Sequence, residues 1–172
     1  MLPVIIEEIS RSHNRKAFDC GAPELNQFLQ QQARQKNKKQ LSKTWLTYCN
    51  SHSKKIAGYY TLTGYSVITP PEHKDYTRYP HPLNAVKLAR LAVDATSQKK
   101  RVGERLLIDA VCRTVLVSEQ ISAIGLFVDP MTPDVIPFYQ QYGFLPVDSK
   151  NISGLEMWLP IKTCEEISNA AS

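Results

Sequence analysis

An α/β fold of the α+β kind, a mixed sheet with helices on both faces, is predicted by three observations. Runs rich in β-branched and aromatic residues alternate with segments whose apolar residues recur at helical spacing. The 172 residues, 42% hydrophobic, suffice for one well-buried core and make two ordinary domains improbable. No internal repeat, low-complexity tract or coiled-coil pattern competes with that reading. A single domain spanning 1–172 is therefore expected, with a peripheral tail from about residue 163.

In chain order, Pro3 to Glu7 reads as a short strand. Pro23 to Gln35 reads as a helix: Leu25, Phe28, Leu29 and Ala33 fall on one face, and Pro23 sits where a first turn accepts it. Thr44 to Cys49 and Ile56 to Leu62 are expected strands joined by the polar turn Asn50 to Lys55. Pro70, Pro71, Pro80 and Pro82 make the stretch from Ile68 to Pro82 a loop. Val86 to Val93 is a strand, and Gly103 to Val117 a helix with Leu106, Leu107, Ala110, Val111 and Thr114 as its apolar stripe. Ile121 to Val128 is a further strand and Asp134 to Tyr142 a helix, ended by Gly143 as a left-handed cap. Gly154 to Leu159 supplies a last strand.

Composition excludes several functions. No run approaches the ~18 apolar residues of a membrane span, and MLPVIIEEIS carries acids where a secretory leader would be basic, so a cytoplasmic protein without a membrane partner is expected. Cys20, Cys49, Cys112 and Cys164 lack paired spacing, which argues for free thiols over a zinc site or disulfide framework. His13, His52, His73 and His81 have no ligand spacing, are expected at the surface or in loops, and no metal is expected. Cys112 falls on or beside the buried helical stripe as a small inert hydrophobe.

Net charge is +5, and no Asp or Glu occurs from Leu25 to Pro71, where Arg34, Lys36, Lys38, Lys39, Lys43, Lys54 and Lys55 fall. Joined to Lys99, Lys100 and Arg101, this run points to a polyanionic partner such as nucleic acid, with Arg34, Lys36, Lys38, Lys39, Lys43 and Arg90 as its contacts. The most informative stretch is Lys87 to Leu107. A strand, then a loop of small and basic residues, then a helix N-terminus presents backbone N–H groups and the helix dipole to an anion.

Within it, Gln98-Lys-Lys-Arg-Val-Gly103 resembles the [QR]-x-x-G-x-[GA] pyrophosphate loop of the GCN5-related N-acetyltransferase (GNAT) family, with Arg101 where that family usually has its first glycine. Ala89-Arg-Leu-Ala-Val-Asp94 resembles the family's fourth strand. Pro137-Phe-Tyr-Gln-Gln-Tyr-Gly-Phe144 resembles its closing helix, and the likeness runs from about Lys54 to Leu159. Phe18-Asp-Cys-Gly21, Leu25-Asn26, Phe28-Leu29 and Thr132 resemble the subgroup that acts as toxins of bacterial toxin-antitoxin pairs by acetylating aminoacyl-tRNA.

The resemblance implies a GNAT fold with a central, mostly antiparallel twisted sheet, and acetyl-coenzyme A as cosubstrate. It implies that Leu91, Ala92, Val93, Gln98, Lys99, Lys100, Arg101, Val102, Gly103, Glu104, Arg105 and Thr132 hold that cosubstrate, and that Tyr139 is the general acid. Aminoacyl-tRNA and a ribbon-helix-helix antitoxin are the implied partners. Homodimers are common among such relatives, and no feature of this sequence decides the point. Two further readings stay open: an acetyltransferase for a protein or small-molecule amine, and a non-catalytic module binding acyl-coenzyme A or RNA. Acyl transfer to an amine needs a polarised carbonyl, a neutral amine and a proton for the leaving thiolate. No general base is evident. Asp94 and Glu104 lie nearest the loop, and Glu104 in a first helical turn reads as a dipole partner.

Overall fold

The computed structural model describes residues 5–49, 54–67, 75–76, 79–80, 82–147 and 154–172. Seven strands form one mixed sheet: β1 (Ile6–Glu8), β2 (Lys43–Tyr48), β3 (Ile56–Val67), β4 (Leu83–Val93), β5 (Gly125–Val128), β6 (Leu145–Pro146) and β7 (Met157–Pro160). Their order is β1-β2-β3-β4-β5-β7-β6, with β4 and β5 parallel and β1·β2, β2·β3, β5·β7 and β6·β7 antiparallel. The helices are α1 (Pro23–Gln27), α2 (Ala33–Lys38), α3 (Val102–Ile121), α4 (Ile136–Gln140) and α5 (Ile161–Ala171). The chain forms two compact units: residues 1–63 with 89–110, and residues 64–88 with 111–172.

The first unit is built on Phe28, Leu29, Ala33, Leu46, Ile56, Tyr59 and Ala92, joined by Ile9 and Phe18. Each fully buried Leu, Ile or Phe stabilises by about 1.5–3 kcal/mol. Tyr59 receives the Phe18 ring edge-on at 5.5 Å and stacks on Phe28 at 6.3 Å, while its hydroxyl donates to Leu25 O at 2.7 Å. The expected helix from Pro23 is present and runs past Gln35 to Lys38, but it is interrupted: Phe28–Gln32 forms a π turn between α1 and α2, with Ala33 N donating to Phe28 O. Gln40, at φ 60°, closes α2 with Gln40 N to Asn37 O (3.2 Å) and Leu41 N to Lys36 O (3.0 Å), the paired bonds of a Schellman cap.

In the second unit Phe127, Trp158, Val67, Ala85 and Val147 form the core. Gly125 is required there: at φ 149°, a Cβ on it would lie 2.1 Å from Leu159 O across the β5·β7 pair.

The α3 stripe is as expected, with Leu106, Leu107, Ala110, Val111 and Thr114 all buried. Other expectations need correction. The helix runs on to Ile121 and the strand starts only at Gly125, because Glu119 and Gln120 sustain helix and Ser122, at φ 62°, ends it with Ser122 N on Ser118 O. β3 extends beyond Leu62 to Val67, and β4 begins at Leu83 rather than Val86. The segment from about 163 is not peripheral: it is helix α5, with Cys164 wholly buried and Ile161 and Ile167 half-buried on the same face. Pro3 and Val4, the turn at 50–53 and most of the proline-rich loop, with His52, His73 and His81, lie outside the described residues.

Candidate active site

Strand β4 alternates its side chains, leaving Ala92 buried and Leu91 and Val93 half-buried. Beneath it, Gly58 lets β3 approach closely: a Cβ there would lie 2.9 Å from Ala92 O and 2.8 Å from the Leu106 side chain. At the strand's end Asp94 organises the turn. It is 2% exposed, its Oδ1 accepts from Thr96 N (3.0 Å) and Thr96 Oγ1 (2.7 Å), and its Oδ2 accepts from Asp19 N (3.0 Å). Lys55 Nζ stands 3.5 Å from Oδ1. Burial works to raise the Asp94 carboxyl but is outweighed by the bonds from Asp19 N and Thr96 and by the Lys55 charge, so it is held below the usual carboxylate range. A carboxylate so committed is a structural anchor, not a base.

That anchor explains why Phe18-Asp-Cys-Gly21 and Leu25-Asn26 matter. Ala95 N returns a bond to Asp19 O at 2.8 Å. The Asp19 carboxylate accepts from Gly21 N and Asn26 Nδ2, both at 2.9 Å, and Asn26 Oδ1 accepts from Cys20 N at 2.9 Å. Gln98 Nε2 donates to Val93 O at 3.2 Å. The N-terminal motif thus packs directly against the strand-to-helix turn.

The turn itself is strained. Lys99 (φ 61°) and Arg101 (φ 64°) adopt left-handed backbone, a conformation glycine enters without cost. Position 101 therefore holds a backbone shape that glycine adopts freely while bearing a side chain. That side chain is folded back, with Arg101 Nε and Nη2 on Glu104 at 2.7 and 3.1 Å. Arg105 N to Arg101 O is the first rung of α3, so the amides of Val102 and Gly103 lie ahead of the ladder, where an anion would meet them.

Tyr139 lies in the second unit, on α4. Gly143 N to Gln140 O (3.0 Å) and Phe144 N to Tyr139 O (3.3 Å) form a Schellman motif, and Phe144 packs edge-on against the Tyr139 ring at 5.3 Å. Gly143, at φ 97°, is the left-handed cap expected of it. The Tyr139 ring is 7% exposed, burial pushes its phenol pKa up, and its hydroxyl takes no hydrogen bond from a described residue. Phe138 is half-buried rather than core, with Tyr142 and Tyr139 edge-on to it. Thr132 is exposed at the head of the short Pro133–Val135 helical turn.

The basic residues divide. Arg34, Lys38 and Lys39 line a cleft of about 510 Å³ with Arg11, Arg15 and the amides of Gln30, Gln31 and Gln35. Burial and the facing Arg34 charge pull the Arg15 guanidinium below its usual value. Arg11 and Arg15, outside the acid-free run, were not legible as members. Lys43 is instead paired with Glu8 at 3.1 Å. Lys36 and Arg90 converge on the Phe28 ring, at 5.5 and 3.6 Å from its centroid. His13, expected at the surface or in a loop, is in a loop but 6% exposed, bonded through Nε2 to Glu7 and accepting Ser10 N at Nδ1. The four cysteines are free, and Cys112 is half-buried. Among the described residues no group of His, Cys, Asp and Glu could hold a metal, and no helix is long and apolar enough to cross a membrane.

No protein-family model matches the chain. It is 28% identical over 137 residues to a tRNA-acetylating toxin of Mycobacterium tuberculosis (strain ATCC 25618 / H37Rv), covering 79% of this chain and 81% of that one. It is 25% identical over 176 residues to a probable toxin TacT of Sinorhizobium fredii (strain NBRC 101917 / NGR234), covering 95% and 94%. Among solved structures it resembles AtaT complexed with acetyl-methionyl-tRNAfMet (TM-score 0.85, 25% identity, 96% and 99% covered). A tyrosine-to-phenylalanine mutant of KacT is as similar (TM-score 0.85, 25% identity, 95% and 98% covered). A tyrosine-to-phenylalanine mutant of AtaT bound to acetyl-CoA and the C-terminus of the antitoxin AtaR also resembles it, at a TM-score of 0.79 (25% identity, 95% and 97% covered).

Proposed function

We infer that this chain, a member of the GCN5-related N-acetyltransferase family in its tRNA-acetylating toxin branch, moves the acetyl group of acetyl-coenzyme A onto the α-amine of an aminoacyl-tRNA and so blocks translation. The likeness to AtaT with acetyl-methionyl-tRNA, over almost the whole of both chains, carries the choice of acceptor. The strand-to-helix turn at 94–105 supports the choice of donor, because its strained, basic, amide-rich form suits a diphosphate.

Acetyl-coenzyme A supplies an acyl group already activated as a thioester. The chain's own work is to bind and polarise. Amides ahead of the α3 ladder, those of Val102 and Gly103 foremost, with the side chains of Gln98, Lys99, Lys100, Arg101 and Arg105 around them, hold the diphosphate; Thr132 adds a contact to the cosubstrate. Backbone N–H groups of Leu91 to Val93 bond the acetyl carbonyl, where negative charge grows as the amine nitrogen attacks. Tyr139 gives its phenolic proton to the departing sulfur, a role suited to a buried phenol that stays protonated. An α-amine, with a pKa of about 8, is already about half neutral near pH 8, so the proton it loses after attacking the carbonyl can pass to water and no carboxylate base is required.

The partners follow from the same reading. A ribbon-helix-helix antitoxin with an extended tail would restrain the enzyme in the cytoplasm, where charged tRNA is found. Incubation with labelled acetyl-coenzyme A and a panel of charged tRNAs is expected to yield N-acetyl-aminoacyl-tRNA. Absence of product with every charged tRNA, while a small amine is acetylated, would overturn the acceptor.

A further inference from the structure

We propose that Tyr65, its hydroxyl held by the buried carboxylate of Glu156, is the contact that receives the acceptor's α-ammonium, with Glu156 as its positioning residue. The inference rests on the aminoacyl-tRNA reading above and deepens it by naming what meets the amine.

Two carboxylates are buried among the described residues, Asp94 and Glu156. Asp94 anchors the turn after β4. Glu156, 3% exposed, lies in sequence among Leu155, Met157 and Trp158, where an ionised side chain is costly without a compensating partner. Tyr65 Oη donates to its Oε2 at 2.9 Å. A hydroxyl whose proton is committed to a carboxylate turns its oxygen lone pairs elsewhere, so the half-buried Tyr65 offers an acceptor backed by negative charge. An ammonium N–H is the donor that such an oxygen holds best.

The register places the pair. Lys87, Phe127 and Trp158 are matched across β4, β5 and β7, so they form one row on one face of the sheet. Tyr65 packs edge-on to Phe127 at 5.2 Å, and Phe127 stacks on Trp158 at 6.0 Å. Glu156 shares the face of Trp158 and lies one step beyond Met157, the partner of Val128, where β5 ends. Leu88 and Val128 are also the last pair joining β4 to β5. Glu156 therefore stands level with the end of that pairing, and Leu91 to Val93, assigned above to the acetyl carbonyl, follow Leu88 on the same strand. Lys87 Nζ covers the Tyr65 ring, 4.7 Å from its centroid, which leaves the hydroxyl end as the place for a second cation.

The test compares wild type, Glu156→Gln and Tyr65→Phe. Glu156→Gln keeps an oxygen for the Tyr65 hydroxyl and removes only the charge. In acetylation of charged tRNA each variant is expected to raise KM about tenfold, the loss of one charge-assisted contact. On its alkaline plateau kcat stays nearly unchanged, as when a contact is lost equally from ground and transition state. In the wild type the pH midpoint of kcat lies above that of kcat/KM, because a nearby carboxylate favours the ammonium form; in Glu156→Gln the two coincide. Fluorescence anisotropy gives a readout without catalysis, using a tRNA charged with an α-hydroxy acid in place of the amino acid. Wild type is expected to hold aminoacyl-tRNA about tenfold more tightly than this analogue, and both variants to hold the two alike. A wild type without that preference, variants that keep it, or a fall in kcat at constant KM would each overturn the site. Tyr65→Phe keeps the test decisive should Glu156→Gln unfold. Charged tRNA left unacetylated while a small primary amine is turned over, with the same rise of its KM in both variants, would defeat the acceptor reading and leave the site standing.

Discussion

Tyr139 and Arg101 show how far one residue can be read. The Tyr139 phenol is pushed up by burial, so it remains an acid throughout the working range. Tyr139→Phe is expected to cut kcat by about 10²-fold or more with the thermal midpoint nearly unchanged, as general-acid contributions run; turnover by stopped assay and melting by circular dichroism check both halves. The rate with wild type is expected to climb with pH through a midpoint near 8, the pKa range of an α-amine, to a plateau at about pH 9, with no descending limb below about pH 10. At position 101 the sequence shows only an arginine where the motif it resembles has a glycine. The structure adds the reason glycine suits the site, a φ of 64°. Arg101→Gly is expected to gain up to ~1 kcal/mol of unfolding free energy, because relief of left-handed strain exceeds the loss of an exposed ion pair with Glu104. Urea titration measures it.

Among the elements, those with strong local signals were legible and those set by packing were not. Helix α3 follows from its apolar stripe, and α4 from its Schellman cap at Gly143. Gly143→Ala is expected to destabilise by about 1 kcal/mol or more, since the alanine must hold φ 97°; a denaturant midpoint reads it. The π turn left no trace in the pattern, because one inserted residue among Gln30, Gln31 and Gln32 changes no apolar spacing that a window could detect. A π turn behaves as an α-helix with one residue too many. Deleting Gln31 is therefore expected to leave the chain folded, with a melting temperature at or above that of the wild type and Lys36 still aligned with Phe28. Helix α5 had a signal, Ile161, Cys164 and Ile167 at helical spacing, overshadowed by the acids and small residues around it.

For the whole molecule, charge sets the response to conditions. Asp94 is held low by Asp19 N, Thr96 and Lys55 against its burial, and Glu7 is held low chiefly by its bonds from His13 and Tyr48. Carboxyls lowered on folding contribute stability that is complete above their unfolded pKa values, near 4, and is lost as pH falls through the folded ones. The melting temperature is thus expected to be level from pH 8 to about 5 and to drop below about pH 4. Asp94→Asn should flatten part of that drop. A curve already falling between pH 7 and 6 would contradict the assignment.

The sequence by itself determined the class of fold, the order of most elements, the strand-to-helix turn that opens α3 and the basic character of the surface. These rest on spacing along the chain, where helix period, strand alternation and caps involve residues only a few positions apart. Tertiary structure decided the rest: that Asp94 is an anchor, that Arg11 and Arg15 join Arg34 in one cleft, that Lys43 is spent on Glu8, and that Arg90 from β4 stands against the Phe28 ring. Each of these pairs residues far apart in sequence, Asp19 and Asp94 by 75 positions. A side chain's charge is legible from its letter, whereas its partner is chosen by the packing that brings distant segments together.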